Sequence, residues 1–137
     1  MSGFELSLDM CLKMTKAAEE AQQEIGVCVS LAIADCNGNL RFFYRFGNAI
    51  HPSIEISQKK AYTSAVLNSS TSEFGKIAQP GGSAFGINIA CPNLVVFGGG
   101  LPLQKDGKNY GGIGVSGASA DEDEFIASRM LEVFARE

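Results

Sequence analysis

No tryptophan occurs in this 137-residue chain, and histidine occurs once, as His51. No apolar run approaches the roughly 18 residues that a membrane-spanning helix needs, so no membrane segment is expected. The segment Met1-Ser2-Gly3-Phe4-Glu5 has no basic stretch followed by an apolar one, which excludes a recognisable signal peptide and points to the cytoplasm. Basic residues are also scarce, 11 against 15 acidic, for a net charge of −4. That balance argues against a nucleic-acid partner, which demands a basic face for phosphate contacts. Four cysteines are present, Cys11, Cys28, Cys36 and Cys91, but no two stand as C-x-x-C. With a single imidazole to complete a tetrahedron, a structural zinc site is not expected. In a reducing compartment the thiols read as free, packed as small hydrophobes. Cys36, in a turn, is the thiol expected to be most exposed.

What is present suffices for a folded core. Hydrophobic residues make up 45% of the chain and charged residues 19%, with nine phenylalanines. These figures exclude a disordered tail, and the length suits one domain spanning 1–137. Glycine is over-represented, at 16 residues.

The periodicity predicts a helix over 8–25, with Leu8, Cys11, Leu12, Ala18, Ala21 and Ile25 on one stripe, Ser7 as its cap and Gly26 at its end. Residues 27–34 alternate large and small and read as a strand whose second face packs closely on something. Asn37-Gly38 is then a two-residue hairpin turn into a strand over 40–46. A helical pattern covers 53–67, and Ser70 with Glu73 forms a capping box for a short helix to Ala78. Strand-like sequence follows over 93–103, then Asp106-Gly107 as a tight turn and a returning strand over 109–116. Ser119 and Glu122 open a last helix to about Arg136. Hairpin-linked strands flanked by helices imply an α+β fold with a mostly antiparallel sheet.

Several stretches suggest chemistry. Gly112-Ile113-Gly114-Val115-Ser116-Gly117 spells G-x-G-x-x-G, the turn that admits pyrophosphate to a helix N-terminus in dinucleotide folds. The chain ends one helix later, without the strand and acid that fold requires, so these glycines are read as permitting close strand–helix packing. Gly98-Gly99-Gly100, Gln79-Pro80-Gly81-Gly82 and Gly111-Gly112 would line one pocket or one subunit contact. Lys60, beside Lys59, Tyr62 and Thr63, is a candidate anion anchor or part of a solvated face. His51 is an ordinary loop residue or, as the only imidazole, a haem iron ligand. Asp121 to Glu124 fit the positive end of the last helix. No serine–histidine–aspartate set and no activated nucleophile can be nominated, so an enzyme is not the favoured reading.

These blocks, taken in order, carry a resemblance. Ser53-Ile54-Glu55-Ile56-Ser57 with Lys60-Ala61-Tyr62-Thr63-Ser64-Ala65 is similar to the S-x-D-I-A…K-A-Y-T-A helix of the GlcG/HbpS family, with Glu55 a mild departure. Thr71-Ser72-Glu73, Gln79-Pro80-Gly81-Gly82, Phe97 to Leu103 and Gly112 to Gly117 resemble its later blocks. Asp123 falls where that family's closing helix carries an aspartate. The resemblance implies a five-stranded antiparallel sheet flanked by helices, related in shape to profilin and PAS-like domains, and assembly into homo-oligomers. The family includes stand-alone GlcG proteins, the secreted haem sensor HbpS and the C-terminal domain of PduO-type cobalamin adenosyltransferases, and it has been labelled both haem-binding and haem-degrading. Neither the adenosyltransferase activity nor the extracellular role is expected to carry over to this chain.

The expectation is thus a cytoplasmic homo-oligomer that binds a small ligand, haem or another tetrapyrrole, in an apolar pocket near a subunit contact. The candidate ligand-binding residues are Lys60, Thr63, Gln79, Phe97, Gly98, Gly99, Gly114 and Ser116, with Lys60 facing a propionate and His51 as the axial ligand. The alternatives are a non-catalytic accessory protein of a diol-, glycolate- or cobalamin-linked pathway, and a haem-degrading enzyme.

Overall fold

In the computed structural model, which describes residues 6–137, five helices and four strands follow one another along the chain. Helix α1 (Leu8–Ile25) begins where the Ser7 hydroxyl accepts the Met10 N–H and ends where Gly26 takes the left-handed conformation, φ 73°. Strands β1 (Ser30–Asp35) and β2 (Leu40–Arg45) form the first hairpin. Helix α2 (Pro52–Leu67) has proline in its first turn, where the missing N–H costs nothing. Helix α3 (Thr71–Ile77) is capped by Ser70, and a single turn, α4 (Ile87–Ala90), follows. Strands β3 (Gly100–Lys105) and β4 (Lys108–Ser116) make the second hairpin. Helix α5 (Ala120–Arg136) opens with the full capping box of Ser119 and Glu122.

The sheet is antiparallel throughout, in the order β2-β1-β4-β3. It has four strands among the described residues, which corrects the expected five. The apolar run Leu94–Phe97, expected as the start of the third strand, lies outside the sheet. There the Thr63 hydroxyl of α2 accepts the Val95 N–H at 3.0 Å, and Gly75 of α3 packs directly against the Val96 carbonyl. Pairing begins only at Gly100. The first turn also differs from the two-residue expectation. Asp35 closes a longer loop by accepting the N–H groups of Asn37 and Asn39, both at 3.0 Å. Asp106-Gly107 is the tight turn expected, with φ 54° and 76° between the paired Lys105 and Lys108.

Strand alternation gives the sheet two unlike faces. Leu31, Ile33, Ile113, Val115 and Leu103 point to α1 and α5, where Met10, Met14, Ile126, Met130 and Phe134 complete the main core. Ala32, Ala34, Gly112 and Gly114 point the other way, to α2, which buries Ser57, Ala61, Ser64 and Ala65. Both contact surfaces there are made of small residues, so α2 lies almost backbone to backbone on β4. A Cβ on Gly114 would sit 2.1 Å from the Ser57 carbonyl oxygen. The glycines of the G-x-G-x-x-G string therefore serve packing.

Candidate functional site

Three of the strand-side glycines and one lysine converge in the middle of α2. Lys60 is completely buried, and its ammonium donates to the Val115 carbonyl at 2.8 Å and to Asp123 Oδ2 at 3.0 Å. Asp123 is itself 2% exposed, and its Oδ1 accepts the Ala118 N–H at 2.9 Å. The Phe97 ring covers the ammonium at 5.2 Å, within cation–π range. Gly99, at φ 130°, passes so close that a Cβ would stand 2.4 Å from Lys60 Nζ. Gly98 is buried against Ala120 and Glu124, and Gly114 packs on the same turn of α2.

Burial lowers the pKa of Lys60 from the ordinary lysine range, with the charge of Asp123 opposing. Burial likewise raises Asp123 above the ordinary carboxylate range, against the nearby Lys60 charge. The pair joins α2 to the start of α5 across the end of β4. An external anion would have to take the ammonium from partners it already has.

The structure thus gathers Lys60, Phe97, Gly98, Gly99 and Gly114 of the expected set. Thr63 sits one turn further along α2, where its hydroxyl bridges the Lys59 and Asn93 carbonyls. Ser116 ends β4, paired with Ser30. Gln79 stands apart and exposed just beyond α3, its amide donating to the Gly75 carbonyl. His51 is exposed at the N-terminus of α2 and caps nothing. Nine residues of helix separate it from Lys60, about 14 Å at 1.5 Å per residue.

Exposed apolar side chains recur along the stretch between α3 and β3. Phe97 is 48% exposed, Phe85 63% and Ile89 81%, with Ile77 exposed at the end of α3. Helix α4 buries none of its residues.

Sequence reasoning missed a second feature, a groove-like cavity of about 260 Å³ between the first hairpin and α2. It is lined by Ala34, Gly38, Leu40, Glu55, Gln58, Lys59, Tyr62 and Asn93. The one signal for it was the Lys59–Tyr62 stretch, which sequence alone could not pair with a hairpin. Among the described residues, no group of three or more His, Cys, Asp or Glu side chains is placed to hold a metal ion. All four cysteines are free, with Cys36 and Cys91 exposed.

The haem-degrading protein HbpS-like family model matches residues 6–132. The chain belongs to the HbpS-like family. An uncharacterized 15.0 kDa protein of the dhaT–dhaS intergenic region of Citrobacter freundii is 36% identical over 131 residues, 95% of this chain and 92% of that protein. The corrinoid adenosyltransferase PduO of Salmonella typhimurium is 36% identical over 120 residues, 87% of this chain but only 36% of its own length. Among solved structures, Klebsiella pneumoniae protein ORFY superposes with a TM-score of 0.91 at 30% identity, covering 98% of this chain and 96% of that one. A crystal structure of a PduOC:heme complex superposes at 0.89 with 33% identity, covering 93% of this chain and 94% of that one. No described helix of this HbpS-like chain is long and apolar enough to cross a membrane.

Proposed function

We propose that this chain is a tetrapyrrole-binding protein, with haem as its ligand, and that the ring lies on apolar surface between copies of the chain. The observation that carries this reading is the likeness, over nearly the whole chain, to a domain solved as a heme complex. The surface chemistry agrees. Phe97, Phe85 and Ile89 offer exposed apolar area beside a glycine-rich stretch, and Ile50 offers the same beside the uncapped imidazole of His51.

These residues fit the group. His51 is the axial-ligand candidate, and the Phe97 surface is the slab on which the ring would rest. His51 stands at the start of α2 and Phe97 over its middle, so a ring between two copies would bring the imidazole of one to the apolar surface of the other. Lys60 acts from beneath in this reading: it fixes the floor under Phe97 through its ion pair. Gly98, Gly99 and Gly114 shape that floor, with Thr63 one turn further along α2. Haem would supply redox and ligand-binding chemistry at its iron.

Haem titration followed by visible absorption tests this reading in the unmodified protein, His51→Ala and Phe97→Ala. A saturable Soret shift, altered by His51→Ala and weakened by Phe97→Ala, is the expected result. No saturable shift at micromolar haem would overturn it, and would favour an accessory role in a diol-, glycolate- or cobalamin-linked pathway. Progressive loss of the Soret band with turnover would identify haem degradation instead of stable binding.

A further inference from the structure

The groove between the β1–β2 hairpin and α2 has no part in the tetrapyrrole reading, yet it is furnished as a binding site. Its apolar side is made by Ala34, Leu40 and the Tyr62 ring. The hairpin holds that ring in place: Gly38, at φ 85°, lies so near that a Cβ would meet Tyr62 Cδ1 at 2.7 Å. The polar side carries solvent-reachable groups without a protein partner among the described residues. Gln58 donates its amide to the Ile54 carbonyl at 3.0 Å, but its Oε1 has no partner among the described residues. The Tyr62 hydroxyl and the Asn93 side-chain amide have none either. At the rim, Lys59 Nζ and Glu55 Oε2 meet at 2.7 Å and cancel each other's charge.

These features select a class of ligand. The groups that remain free are neutral, and between them they both donate and accept, so they match hydroxyl groups, which do both. An aromatic ring and a leucine on the opposite side match the C–H face of a saturated ring or chain. At about 260 Å³ the groove has room for a short polyol or a pentose. We propose that the groove of Gln58, Tyr62 and Asn93 binds a small uncharged polyhydroxy compound, of the size of a short polyol or a pentose.

Titration of the full chain with D-xylose, followed by amide chemical shifts in two-dimensional NMR, tests the proposal. The expected result is saturable shifts confined to Gly38, Leu40, Gln58, Tyr62 and Asn93, with a Kd of millimolar order. Cyclohexanol, similar in size but with one hydroxyl, is expected to give no saturable shift. The variant Gln58→Ala/Asn93→Ala changes two residues outside the core, so it should keep the unfolding midpoint while weakening xylose binding about tenfold. Equal binding by this variant, or cyclohexanol binding as tight as xylose, would show an unspecific apolar crevice and overturn the proposal. Tighter binding of ribose 5-phosphate than of xylose would also overturn it, by showing an anion site at Lys59. A failed haem titration leaves these outcomes unaffected, since the two sites share no residue.

Discussion

At the scale of single residues, the pair Lys60–Asp123 is the most consequential feature. Two charges that are 1% and 3% exposed in their side chains have given up nearly all their hydration. Each partner's pKa moves toward the neutral form, with burial the largest cause, which marks desolvation outweighing attraction. Removing one partner is far worse than keeping both. Asp123→Ala strands a buried ammonium and leaves the Ala118 N–H without its acceptor, so a loss of about 3–5 kcal/mol is expected in urea unfolding. Lys60→Met/Asp123→Asn removes both charges while retaining an acceptor for Ala118, and should recover most of that loss.

The pH dependence follows from the same shifts. Asp123 holds its proton more tightly folded than unfolded, so its contribution is fully present below the unfolded value of about 4 and is lost as pH rises through the folded value. Relative to Asp123→Asn, the protein should therefore gain stability as pH is lowered through that window. Lys60 has the opposite sign. Its contribution is fully present above the unfolded value of about 10.4 and is lost as pH falls through the folded value, so the gain relative to Lys60→Met comes on raising pH. Urea midpoints over a pH series check both, and a flat difference in either comparison would contradict the burial argument. Sequence singled out Lys60 but gave it an external anion, because its true partner lies 63 positions away and only the fold unites them. Both residues nevertheless stood in the blocks that carried the family resemblance.

At the scale of elements, helices with an apolar stripe and capping residues were the most legible. Helix α1 runs from Leu8 to Ile25, the predicted span, and α5 begins behind its predicted cap. Helix α2 was harder to read for a physical reason: it buries Ser53, Ser57, Ser64 and Lys60 alongside alanines, so no apolar stripe marks its inner face. Hydroxyls can be buried there because each finds an oxygen nearby. Ser30 and Ser53 share a bond of 2.8 Å, and Ser64 reaches the Ala61 and Ile113 carbonyls. The third strand starts later than predicted for a similar reason, since residues 94–97 have strand-like composition but the Thr63 hydroxyl takes the Val95 N–H. The short helix α4 carries no buried residue and thus no sequence pattern to announce it.

The seam between α2 and β4 yields a sharp contrast between glycines. Gly114→Ala would place its Cβ 2.1 Å from the Ser57 carbonyl oxygen and 2.4 Å from the Ala61 N, both backbone atoms of a packed helix. Helix α2 must then shift, and a loss of about 3 kcal/mol is expected, at the upper end of overpacking costs. Gly107→Ala meets nothing within 4 Å and suffers only from its positive φ of 76°, so about 1 kcal/mol is expected. Comparable losses in urea unfolding would mean that backbone conformation, and not the close seam, makes the glycines necessary. Ser119→Ala at the start of α5 removes one half of the capping box and should cost about 1 kcal/mol by the same measurement.

At the scale of the whole molecule, the two faces of the sheet are closed by α1 with α5 and by α2, yet a conspicuous apolar surface remains open. It lies where the chain leaves α3 and wanders before reaching β3, through residues 78–99. Phe85 and Ile89 project from this excursion at 63% and 81% exposure, and α4 contributes nothing to the core. Such groups do not stabilise the single chain, so their substitution should leave its unfolding nearly unchanged. If copies of the chain meet over this surface, Phe85→Ser/Ile89→Ser should instead act on assembly. Sedimentation of the unmodified protein is expected to give a multiple of 14.5 kDa, and the double variant a smaller species. Haem binding should weaken together with assembly, as a slot shared between copies requires. A variant that dissociates but binds haem unchanged would place the ring within one copy and refute the shared slot. A variant that keeps its full mass would move the contact to another surface, with the open edge of β2, where Leu40 and Tyr44 are exposed, the next to test.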